Sequence, residues 1–108
     1  MAGKSWDRYA PAASEAEMIV IWTEQALEDI ERLNEFLKWD NPAVARRVVQ
    51  ALREAPQRLR SMPRLGQRVE TVLALEVRRL VIGAYEIRYA LRQETIYILQ
   101  VWHTREQR

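Results

Sequence analysis

The chain has 108 residues, of which 48% are hydrophobic and 30% charged, with 17 basic side chains against 15 acidic ones. That length and balance fit one globular domain around a single core. The absence of cysteine rules out disulfides, thiolate metal centres and thiol nucleophiles. No run approaches the roughly 20 apolar residues needed to span a bilayer, and the N-terminus has no apolar signal core, so a cytoplasmic location is expected.

Residues 1–17 (MAGKSWDRYAPAASEAE) show no periodicity. They read as a flexible extension, a tag remnant or an upstream start, with the domain itself at 18–108. Residues 18–22 (MIVIW) form a short, β-branched apolar run that predicts a buried strand. Thr23 then suits an N-cap, with Glu24 in the first helical turn. Ala26, Leu27, Ile30, Leu33 and Leu37 share about one third of the helical circumference, which predicts a helix to about Trp39. Asn41-Pro42 supplies a cap and a first-turn proline for a second helix. Its apolar face is Val44, Val48, Ala51, Leu52, Ala55 and Leu59. Pro56 removes an amide and predicts a kink or a short new helix near Gln57. The three-residue link makes the two helices an antiparallel hairpin.

The PRLG turn at 63–66 leads into a loop at 67–75, with at most a short strand there. Residues 77–82 alternate Val77, Arg79, Val81 against Arg78, Leu80, Ile82, and residues 85–91 alternate around Tyr85, Ile87, Tyr89 and Leu91. Gly83-Ala84 and Gln93-Glu94 are the intervening turns. Thr95–His103 is apolar on both faces, which predicts a central strand covered on each side. The expected fold is α+β, in the order β-α-α-β-β-β, with the helical hairpin packed on a mainly antiparallel four-stranded sheet.

Charge is uneven along the chain. Residues 1–17 hold two bases and three acids, residues 18–59 six and seven, and residues 60–108 nine and five. A basic second half points to an anionic partner, either nucleic acid or an acidic protein segment, or to a solvated arginine surface. With only Gly3, Gly66 and Gly83, no phosphate-cradling loop exists. One histidine and no cysteine leave no ligand set of metal-binding spacing, so no metal and no cofactor are expected. Neither Ser14 nor Ser61 stands in a nucleophile context.

What remains is metal-free RNA cleavage, which needs a base, a leaving-group acid and cations for the phosphorane. Arg79, Arg88 and His103 are the catalytic candidates, and Arg105 is a further cation. Each also has a structural reading: Arg78 and Arg79 as a strand surface, Arg88 as a partner of Glu86 or Glu76, and His103 as a hydrogen-bonding strand end. Tyr85, Tyr89, Tyr97, Trp22 and Trp102 read as core and sheet-packing residues, with base stacking as the lesser alternative.

The ordered set WTEQALEDIERL, DNPAVARRVVQAL, PRLG, VRRLVIGAYEIRYAL and IYILQVWHTRE resembles the RelE/ParE superfamily of type II toxins, over residues 18–106. The resemblance implies a toxin neutralised by a cognate antitoxin whose disordered C-terminal segment folds on it. Arg78, Arg79, Arg88, Trp102, His103 and Arg105 are then the residues for partner or target binding. RelE-like members cleave ribosome-bound mRNA, whereas ParE-like members poison DNA gyrase. The RelE-like nucleases carry an arginine directly after the tyrosine of the third-strand motif. Here that position is Glu86, with arginine at Arg88, and the His103-Thr104-Arg105 ending is closer to ParE-like sequences. The resemblance therefore implies a gyrase inhibitor first, a ribosome-dependent mRNA endonuclease as the alternative, and a degenerate, non-toxic antitoxin binder as a third reading.

Overall fold

The computed structural model describes residues 18–72 and 75–105; the extension read at 1–17 lies outside them. Strand β1 (Ile19–Trp22) runs into helix α1 (Glu24–Lys38), which is followed by helix α2 (Pro42–Glu54) and a 3₁₀ turn at Ala55–Arg60. Strands β2 (Gln67–Val72), β3 (Leu75–Ile82), β4 (Tyr85–Arg92) and β5 (Thr95–His103) complete the chain.

Both helix starts are set by the expected caps. The Thr23 Oγ1 accepts the Ala26 amide at 3.2 Å and donates to the Ile98 carbonyl at 2.7 Å, so the cap also ties α1 to β5. The Asn41 side chain accepts the Ala43 and Val44 amides at 3.1 and 3.2 Å, and Pro42 sits where an amide is not needed. Pro56 converts the end of α2 into the 3₁₀ turn, as the loss of a backbone donor requires.

The sheet has five strands, not the four expected, in the order β1-β5-β4-β3-β2. The additional strand is β2, which pairs antiparallel with β3 through Gln67↔Arg79 and Arg68↔Arg78 before an irregularity at Arg68/Glu70. Its sequence, QRVETV, is mostly polar, as an edge strand paired on one side can be, and its two valines stand three residues apart, so it gives no alternating apolar signal. The expected central strand is β5, held between β1 (parallel) and β4 (antiparallel).

The helical hairpin covers one face of the sheet. Ala26, Ile30 and Leu33 from α1, Leu52 from α2 and Leu59 from the 3₁₀ turn meet Leu80, Ile87, Tyr89, Leu91, Ile96, Ile98 and Val101 there. Each such fully buried Leu or Ile contributes about 1.5–3 kcal/mol of transfer free energy. The other face has no helix over it among the described residues, and it carries the exposed Ile19, Ile21 and Val81.

A buried polar anchor fixes the PRLG turn, which the apolar core alone leaves loose. The Tyr89 hydroxyl donates to the Pro63 carbonyl at 2.8 Å and accepts the Gly66 amide at 2.9 Å, so it pins both ends of the PRLG turn. Burial pushes this hydroxyl above its ordinary value of 10, which keeps the donor proton in place. Gly66 is required by the close approach: a Cβ there would meet the Arg79 carbonyl oxygen and lie 2.8 Å from the Tyr89 hydroxyl. Tyr89→Phe is expected to cost about 2 kcal/mol in chemical denaturation, because it strands the buried Gly66 amide. A loss below about 0.5 kcal/mol would show that the turn is held by its own backbone.

Candidate functional site

Strand alternation and register decide which of the candidate side chains meet. Arg79 stands opposite Arg88 across β3 and β4. Arg88 stands opposite Gln100, and Glu86 opposite Trp102, across β4 and β5. These side chains share the sheet face away from the helices. Tyr85 stands opposite His103 and Arg78 opposite Tyr89, both on the helix-covered face. The sheet thus places Arg79, Arg88 and Trp102 together and separates them from His103.

On the open face Glu86 is the centre of the cluster. It is only 5% exposed, with Oε2 2.7 Å from Arg88 Nη2 and Oε1 3.5 Å from Arg79 Nη1. The Arg88 guanidinium lies over the Trp102 ring, 4.9 Å from its centroid. Arg79 adds a two-pronged contact to the Gln67 Oε1, at 3.2 and 3.0 Å. The Arg79 and Arg88 guanidiniums are therefore already bridged by an internal carboxylate. Removing one member of such a buried cluster strands the others, so the arrangement resists rearrangement for an incoming anion.

Arg78 points into the structure. Its Nε is 2.6 Å from Glu76 Oε2, and its Nη1 donates to the Gly66 carbonyl at 2.7 Å. Arg64 grips the same carboxylate through two bonds of 3.1 Å. Hydrogen bonds from Arg78 first and Arg64 second hold the Glu76 carboxyl below its ordinary 4.5. A group with a lowered folded value gives stability above its unfolded value and loses it as the pH falls through the folded one. Glu76→Gln is therefore expected to melt below the parent at pH 7, with the gap closing below about pH 4.5; a gap independent of pH would mean that the pairs add nothing.

The helix-covered face opens at one end into a groove of about 530 Å³, lined by Arg32, Leu33, Phe36, Leu37, Tyr85, His103 and Arg105. Its wall is the second half of α1 and its floor the ends of β4 and β5. The Tyr85 and His103 rings pack edge to face with centroids 5.2 Å apart. The His103 Nδ1 accepts the Arg105 amide at 3.1 Å, so a neutral His103 ring carries its proton on Nε2. Thr104 donates to the Ala84 carbonyl at 2.8 Å, fastening the end of β5 to the β3–β4 turn. Phe36 is 74% exposed at the groove's rim, beside the cations Arg32 and Arg105. Such a site suits a segment of apolar side chains interspersed with carboxylates.

Sequence reasoning named His103 and Arg105 and read Leu33, Leu37 and Tyr85 as core, but did not single out Phe36. Phe36 lies off the stripe through Leu33 and Leu37, and that offset is the signal a wheel projection offers. It also missed Asp29, which is fully buried in α1 and accepts the Val101 amide at 2.9 Å. Among the described residues no group of three His, Asp or Glu is placed to hold a metal ion, and no helix is long and apolar enough to cross a membrane.

Residues 20–108 match the family model described as the ParE toxin of the type II toxin–antitoxin system parDE. Among solved structures, a chain of the chromosomal ParDE toxin–antitoxin system from P. aeruginosa is similar at 21% identity, with a TM-score of 0.67 over 82% of this chain and 97% of that one. A chain of the toxin–antitoxin complex RelBE2 from Mycobacterium tuberculosis is similar at 25% identity, with a TM-score of 0.54 over 81% of this chain and 98% of that one. No curated protein matches.

Proposed function

The chain belongs to the family of ParE toxins of type II toxin–antitoxin systems, and on that premise we propose that it arrests growth through DNA gyrase while a cognate antitoxin holds it inactive. The observation that favours gyrase over mRNA cleavage is Glu86, buried between Arg79 and Arg88. A metal-free nuclease needs those cations on the scissile phosphate, together with a proton carrier beside them. Here a carboxylate holds both cations, and His103 stands on the far side of the sheet.

The groove beside α1 is the antitoxin's seat in this proposal. Apolar antitoxin side chains pack on Leu33, Phe36, Leu37 and Tyr85, and acidic ones reach Arg32 and Arg105. A disordered segment that orders on docking covers such a surface at modest affinity per unit area, which suits a partner that must be removable. Arg79, 41% exposed at its side chain, remains an accessible basic contact of the open face.

Expression of the full chain without its partner tests the target. The expected result is growth arrest with chromosomal DNA breaks and intact transcripts. Cleavage at ribosomal A-site codons with unbroken DNA would end the gyrase reading. Normal growth would make the chain a family member that binds its antitoxin without being toxic.

A further inference from the structure

The two helices of the hairpin carry opposite charge and opposite surface chemistry. Over Glu24–Lys38, α1 has five acids and two bases, and it exposes Leu27 and Phe36. Over residues 42–60 the second arm has five arginines and one acid, Glu54, and Gln50 holds that carboxylate at 3.0 Å. No large apolar residue is exposed on this arm. Arg46, Gln50 and Arg53 recur at i, i+4 and i+7, so they form one line about 10 Å long on the exposed side of α2, with Arg53 at its edge toward α1, beside Leu27, Ile30 and Glu31. Arg47 borders that line on the side of the β3–β4 turn, and the exposed Arg58 extends it into the 3₁₀ turn.

We propose that the outer face of α2 is a contact surface for the phosphate backbone of duplex DNA, built from Arg46, Arg47, Arg53 and Arg58. Protein docking surfaces are anchored by large buried aromatic or aliphatic side chains, and this face has none. Single-stranded and looped nucleic acids are gripped by aromatic stacking, and this face has no aromatic ring either. Planar guanidiniums at Arg46 and Arg53 on one line, flanked by Arg47 and Arg58, fit the phosphates of a duplex backbone, which supply affinity without reading sequence. The acidic α1 sets the orientation, since its carboxylates turn that side of the hairpin away from a polyanion. The surface is distinct from the groove beside α1 and from the Arg79–Glu86–Arg88 cluster, so it stands whatever the toxin's target.

Fluorescence anisotropy of the full chain with a labelled duplex of roughly 24 base pairs, over about 50–300 mM salt, tests it. Affinity is expected to fall log-linearly with salt with a slope of about −3 to −4, one phosphate contributing about 0.9. Replacing the four arginines (R46Q, R47Q, R53Q, R58Q) is expected to remove most of that slope and at least tenfold in affinity near 0.1 M salt. Arg79→Gln on the sheet is expected to leave the slope within about one contact of the parent. A parent slope shallower than about −2 would overturn the proposal without reference to any variant. So would a loss of slope that follows Arg79→Gln, or an acidic peptide of equal charge that binds as tightly as the duplex.

Discussion

Asp29→Ala is expected to lower the unfolding free energy by about 3–4 kcal/mol, a large share of the 5–15 kcal/mol that holds a domain of this size together. The carboxylate is fully buried yet has donors on both oxygens. Oδ2 accepts the Val101 amide at 2.9 Å, and Oδ1 accepts Gln25 Nε2 at 2.9 Å and Arg32 Nη1 at 3.1 Å. The Val101 amide needs this acceptor because β1 pairs with β5 only as far as Ile98. Beyond that point the helix replaces the missing strand: Thr23 takes up the carbonyls of Ile98 and Leu99, and Asp29 takes the next available amide. Truncation strands that buried donor at a cost of about 1–3 kcal/mol and removes charge-assisted bonds worth about 1.5–3 kcal/mol each before the exposed Arg32 regains water. Asn is expected to rescue only part of this, since its amide nitrogen would face one of the donors. Urea denaturation with exchange of the Val101 amide measures both effects. A loss below about 1 kcal/mol, with that amide still protected, would mean that the helix is docked by its apolar stripe alone.

Asp29 also shows where sequence reading stops. The stripe Ala26, Leu27, Ile30, Leu33 and Leu37 gave the helix and its amphipathicity correctly, but not its rotation. In the structure Leu27 is 49% exposed and Asp29 is buried, so the face turned to the sheet is shifted toward the acid. Apolar periodicity reports where hydrophobic side chains cluster, and a buried carboxylate satisfied by a backbone amide leaves no trace in it. The caps at Thr23 and Asn41, the Pro56 break and the three long strands were legible because each rests on local chemistry. Strand β2 was not, because four of its six residues are polar and its two valines, three residues apart, do not alternate.

The separation of Arg79 and Arg88 from His103 rests on the β4–β5 register, Tyr85↔His103 and Glu86↔Trp102. A slip of one residue would exchange the faces of β5 and bring His103 beside Glu86. Residue types alone do not fix that register, since the β4–β5 pairing itself shifts between Arg88 and Tyr89. Glu86 was visible in the sequence as a carboxylate where a nuclease wants a cation. Its burial between two arginines makes it a structural occupant of that place and not merely a local repulsion.

Phe36→Asp is expected to weaken antitoxin binding by about 100-fold, or about 2.7 kcal/mol, while leaving the toxin's own stability within about 0.5 kcal/mol of the parent. The two halves of this expectation have one cause. Phe36 is 74% exposed in the chain alone, so folding gains little from it, and its ring is available for burial by a partner seated in the groove. A buried aromatic anchor of this kind carries about 2–4 kcal/mol of an interface. In the proposed docking the substitution also places a carboxylate opposite the acidic side chains seated on Arg32 and Arg105, so lost burial and new repulsion act in the same direction. Leu33, 6% exposed, is the contrasting neighbour: Leu33→Asp would unfold the core and report nothing specific to binding. Calorimetric titration with the antitoxin's C-terminal segment gives the affinity, and co-expression gives the consequence, since a toxin that escapes its antitoxin arrests growth in cells that make both. An affinity within threefold of the parent would place the antitoxin elsewhere on the molecule, even with the chain still toxic.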